Sequence, residues 1–186
     1  MSIFEFLMVL VSIIIGLGVT EILTGVARSL RSRATVKFYW VHMVVVVFIF
    51  VALLQQWWEI WGLRSVTEWS FLALIFMLTA PVCLFLISHL LFPDPINEAD
   101  IESYYYKEMR PIWILGAIAV LVSTVFRPIF FEESLFSLDN ATSLVGFLGV
   151  GILFISKHRV VHAIFVCVLL ILILLDVLQW NPVIEV

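Results

Sequence analysis

Charge is scarce in this chain of 186 residues: Asp, Glu, Lys and Arg make up 13% of it, against 63% for the apolar set AVILMFWYC. Soluble domains carry about 25% charged residues, so water is the wrong solvent for most of this sequence and a soluble globular class is excluded. Cysteine is scarcer still. Cys83 and Cys167 lie in separate apolar runs without CxxC spacing, which gives no support to a disulfide framework or a thiolate metal site. The ten basic residues form no groove-like cluster interleaved with aromatics, so nucleic acid is set aside as a partner. The opening MSIFEFLMVL has no Lys or Arg before its apolar run and no small-residue cleavage pattern; it reads as a first membrane span rather than a secretory signal. Also missing are a Walker loop, a GxSxG elbow, an HExxH pair and paired carboxylates in a soluble cleft, so no enzyme class is signalled and a non-enzymatic role is expected.

What remains is apolar sequence in helix-length runs. Crossing about 30 Å of hydrocarbon takes about 20 residues at about 1.5 Å each. Lipid also leaves no water to satisfy backbone groups, which demands helices. The expectation is an all-α polytopic integral membrane protein, one transmembrane domain over 1–186. Its six transmembrane helices fall near 3–27, 38–58, 69–92, 111–126, 141–156 and 160–180. The segment 93–110, PDPINEADIESYYYKEMR, is the one long polar stretch and reads as a cytoplasmic interfacial loop whose Asp94 or Asn97 caps a short amphipathic helix.

Loop charge sets the orientation. One side of the six-span arrangement collects Arg28, Arg31, Arg33, Lys37, Lys107, Arg110, Lys157 and Arg159, leaving Arg64 and Arg127 opposite. By the positive-inside rule the basic side is cytoplasmic and both termini lie outside. Trp57, Trp58, Trp61, Trp69 and Trp180 then form an outer aromatic belt, with Trp40 and Trp113 as inner anchors. An echo links the second helix to the last. Lys37 precedes His42, and Lys157 precedes His162, by the same five residues; fourteen residues further stand Gln56 and Asp176. In general pattern the chain resembles short bacterial inner-membrane proteins, which implies a multi-pass place in that membrane; no motif ties it to a family.

Three groups of residues carry possible chemistry. Glu21 lies inside the first span, where an ionised carboxylate is costly unless paired or wetted. Gly18 and Gly25 share its helical face, and small residues permit close helix approach. The trio reads as a proton or cation site, or as a packing face on which Glu21 makes an interhelical hydrogen bond or pairs with Arg28. Gln56, Glu59 and Asp176, with Gln55 and Gln179 beside them, outline a possible outer vestibule or an ordinary polar interface. His42, His89 and His162 fall toward the inner ends of their spans, where imidazoles from different helices can ligate a metal or b-type haem; no cofactor is favoured over none. The leading expectation is a small channel or transporter for protons or small cations using an intramembrane carboxylate. The alternatives are a non-enzymatic membrane subunit or adaptor for a partner protein, and a b-type haem redox protein. The lipid bilayer and either further copies of the chain or another membrane protein are the expected partners.

Overall fold

The computed structural model describes the backbone of residues 3–66, 69–96, 99–131, 134–135 and 138–179. Asn97, Trp180 and the side chains of Arg127 and Gln179 lie outside the described residues, as do the expectations attached to them. Among the described residues seven α-helices follow one another: α1 Ile3–Arg31, α2 Trp40–Ile60 with a 3-10 extension to Ser65, α3 Phe71–Leu90, α4 Ile101–Glu108, α5 Arg110–Phe131, α6 Leu138–Ile155 and α7 Arg159–Gln179. The described residues contain no strand beyond a single bridge between Lys37 and Asp100. Five helices, α1, α2, α3, α5 and α7, are long and apolar enough to cross a membrane, while α6 is apolar over the shorter stretch Ala141–Ile155.

Side-chain caps set the start of two helices. The Ser70 hydroxyl caps α3 by accepting from Ala73 N at 3.1 Å, and the Asp100 carboxylate caps α4 by accepting from Ser103 N at 3.1 Å. The expected fourth span, 111–126, is longer in the structure: α5 continues through Pro128 to Phe131. The Phe126 and Phe130 rings, 4.9 Å apart, carry its buried stripe past the proline. α1 buries Leu7, Val11, Ile15, Gly18, Ile22, Gly25 and Ser29, a spacing of three and four residues that marks one helical face.

Contacts between helix ends show that the six long helices alternate in direction. The end of α2 meets the early part of α1 through Trp57 and Ser12, and the start of α2 meets the end of α3 through His42 and Leu91 O. The end of α7 meets the start of α6 through Asp176 and Thr142. Side by side, the helices close a ring in the order α1, α3, α5, α6, α7, α2, and α2 also touches α3. That cross-contact puts α1 on the outside of a smaller enclosure formed by the other five. At the end holding the α1–α2 connection, backbone bonds from Lys37 N to Ala99 O (3.0 Å) and from Ile101 N to Lys37 O (3.1 Å) pin this loop to the start of α4.

Candidate functional site

α2, α3, α5, α6 and α7 line a cavity of about 140 Å³ that is open on one side. Its polar end is assembled from the last turns of α2 and α7 and the first turns of α6, which supply Gln55, Gln56, Glu59, Asp176, Thr142 and Ser143. Thr142 Oγ1 donates to Asp176 Oδ1 at 3.0 Å. Gln55 Nε2 donates to Asp176 Oδ2 and, at 3.4 Å, to Glu59 Oε1. Gln55 thus presents its amide nitrogen to both carboxylates. Its carbonyl oxygen, Oε1, is buried and has no hydrogen-bond partner. Among the described residues no Lys, Arg or His stands within ion-pair distance of Asp176.

Away from this end the wall turns apolar, with Ala52, Leu84, Ile87, Val120, Leu169 and Leu172. Trp113 also lines the cavity; it is 4% exposed and its indole Nε1 is buried without an acceptor. The same indole lines a second pocket of about 20 Å³ toward the α4 end, together with Tyr105, Tyr106, Arg110, Lys157 and His162. Tyr105, fully buried, shares a 2.9 Å hydrogen bond with His162 Nδ1, and His162 Nε2 lies 2.9 Å from Ser156 O. Trp113 and a Tyr105–His162 pair therefore stand between the cavity and the basic end of the bundle.

Comparison with family models, curated proteins and solved structures returns no match.

The residues singled out in the sequence divide among three places. Gln56, Glu59 and Asp176 come together at the polar end of the cavity, and Asp176 faces inward rather than toward headgroups. Glu21 lies elsewhere: its carboxylate is 3.4 Å from His89 Nδ1 across α1 and α3. No described residue lining the cavity comes from α1. Gly18 and Gly25 are packing positions beside Leu53 and Phe92. The three histidines take separate partners: His42 Nε2 meets Leu91 O at 2.7 Å, His89 meets Glu21, and His162 meets Tyr105 and Ser156. Among the described residues no three His, Cys, Asp or Glu side chains gather as a metal site would require. The short helix expected within 93–110 is α4, capped by Asp100 rather than Asp94 and packed against α2 and α5.

Sequence reasoning gave Thr142 no role and took Trp113 for an inner interfacial anchor, whereas it is buried and lines the cavity; the unpaired oxygen of Gln55 has no signal in the sequence. A threonine at a helix start and a tryptophan inside a span are too common to mark a site. Only the meeting of α2, α5, α6 and α7 brings them to one cavity.

Proposed function

We propose that this chain is a six-span protein of the bacterial inner membrane, termini outside, that transports protons or small cations and loads them at Asp176. The observation that carries the reading is a carboxylate held by Gln55 and Thr142 at the polar end of a cavity lined by five helices. An acid in this position exchanges a proton for a cation, because its two charge states differ in their demand for a positive partner. Glu21 paired with His89 forms a separate polar contact on the α1–α3 side, off this path.

Two features support the span count and orientation. α6 has 18 residues, about 27 Å of helix against a hydrocarbon thickness of about 30 Å, and it runs between the same two ends as α5 and α7. The connections bearing Arg28, Lys37, Lys107, Arg110, Lys157 and Arg159 share one end, which the positive-inside rule assigns to the cytoplasm.

The test is proton and monovalent-cation flux into liposomes holding the purified chain. Flux that Asp176→Asn abolishes in a folded variant supports the reading. Absence of flux over a range of pH and voltage overturns it in favour of a membrane subunit that serves a partner.

A further inference from the structure

At the basic end of the bundle several cations are answered locally. Arg159 pairs with Glu102 at 2.9 Å, Lys107 with Glu108 at 3.2 Å, Lys37 with Asp100 at 3.6 Å and Arg28 with Asp94 at 3.7 Å. Arg110 and Lys157 differ: both are exposed, and among the described residues no Asp or Glu lies within ion-pair distance of either. The fold nonetheless brings them to one place. α5 and α6 pack side by side in opposite directions, so Arg110 at the start of α5 and Lys157 just past the end of α6 stand at one level and line the same second pocket.

The rest of this pocket narrows what the two cations can hold. Tyr105, Tyr106 and His162 are already bonded to one another or to Tyr39 and Ser156, which leaves Arg110 and Lys157 as its unmatched charges. Its other walls are apolar, Met109 and Leu153 buried and Phe154 exposed, and Ile155 and Val160 on either side of the α6–α7 connection are exposed as well. A volume of about 20 Å³ has room for about one water, so an anion rests on the mouth, between the two side chains, rather than inside. Two cations beside exposed apolar side chains complement a molecule with an anionic head and apolar tails. The guanidinium fork suits two phosphate oxygens, and the ammonium is a point charge for a third. A zwitterionic head brings its own cation toward the same pair and gains less.

We infer that an anionic phospholipid binds at this pocket, its phosphate held by Arg110 and Lys157 and its acyl chains against the exposed apolar surface beside Phe154. Basic pockets between membrane helices at headgroup level recognise such heads. The inference asks only that these helices cross a bilayer; it does not depend on what the cavity carries. Arg31 and Arg33 are exposed too but line neither the cavity nor the second pocket, so they separate a built site from the general attraction of a basic surface for anionic lipid.

The experiment is thermal unfolding of the purified full chain in detergent, titrated with dioleoyl phosphatidylglycerol, with zwitterionic dioleoyl phosphatidylcholine, or with glycerol 3-phosphate, which has the phosphate without the chains. Phosphatidylglycerol is expected to raise the midpoint at concentrations about ten- to thirtyfold below those phosphatidylcholine needs, each cation being worth about fivefold. Glycerol 3-phosphate is expected to leave it unchanged. Arg110→Gln with Lys157→Gln is expected to bring phosphatidylglycerol to the level of phosphatidylcholine, whereas Arg31→Gln with Arg33→Gln keeps the preference. Lys157→Gln alone, in the connection between α6 and α7, is expected to lose about fivefold and keeps the test decisive if the first double variant does not fold. Equal responses to the two lipids overturn the inference, as does a preference that survives loss of Arg110 and Lys157 or falls as far without Arg31 and Arg33. A response to glycerol 3-phosphate that needs Arg110 overturns the lipid assignment in favour of a soluble phosphate.

Discussion

A carbon added at Gly25 would lie 2.2 Å from Phe92 Cδ2, and one at Gly18 would lie 3.0 Å from Leu53 Cδ2. Phe92 is itself buried and sits edge-on to the His42 ring, with centroids 5.6 Å apart, so it has little room to move. Gly25→Ala is therefore expected to destabilise the fold by about 1–3 kcal/mol, the range for overpacking a tight core. Gly16, beside which an added carbon meets nothing within 4 Å, serves as the control: Gly16→Ala leaves thermal unfolding in detergent unchanged or raises it slightly. Equal effects of the two substitutions would contradict close packing at Gly25. Helical period puts Gly18 and Gly25 on one face in the sequence, together with Glu21; in the structure the buried stripe is Gly18, Ile22 and Gly25, and Glu21 sits beside it. The setting of Asp176 was not legible. Hydropathy places it near a helix end, but whether it turns to lipid headgroups or inward depends on Gln55 and Thr142, which arrive from other helices.

At the scale of elements, α4 is the part of the fold whose role changed most between sequence and structure. A short helix was legible there, expected to start from Asp94 or Asn97; it starts instead from Asp100, and Ile101, Tyr105 and Met109 are its buried positions. What Tyr105 touches is not local, since His162 lies 57 residues away. Burial, with Tyr106 and Tyr39 adding to it, holds the Tyr105 hydroxyl well above the ordinary tyrosine range; burial raises Tyr104 and Tyr106 as well. The folded chain thus keeps these protons where the unfolded chain releases them. The stabilising contribution is present in full below the unfolded value of about 10 and is lost as pH rises from there through the folded values. Unfolding followed from pH 8 to 11 is expected to show a fall in stability that is shallower for Tyr105→Phe. At neutral pH the same substitution leaves His162 Nδ1 without its buried partner and costs about 1–3 kcal/mol. An unchanged alkaline slope would mean that Tyr105 does not ionise on unfolding.

For the molecule as a whole, apolar run lengths foretold an all-helical chain with several long apolar helices, because the backbone's need for hydrogen bonds in lipid depends on composition alone. The ring order of the helices was not legible, since apolar faces meet one another in many arrangements of similar energy. That order is what the proposed reading rests on: it puts α1, with Glu21, to one side of the cavity and Asp176 on its wall. The proposed topology predicts that a cysteine placed at Ser134 reacts with a membrane-impermeant thiol reagent added outside cells, whereas one at Ser103 reacts only after lysis. The reverse pattern would invert the orientation. The most direct measurement is cation flux into liposomes carrying Asp176→Asn or Glu21→Gln, each compared with the unaltered chain. A path through the five-helix cavity requires that Asp176→Asn abolish flux and Glu21→Gln leave it; loss of flux in Glu21→Gln with flux intact in Asp176→Asn would contradict it and move the path to α1.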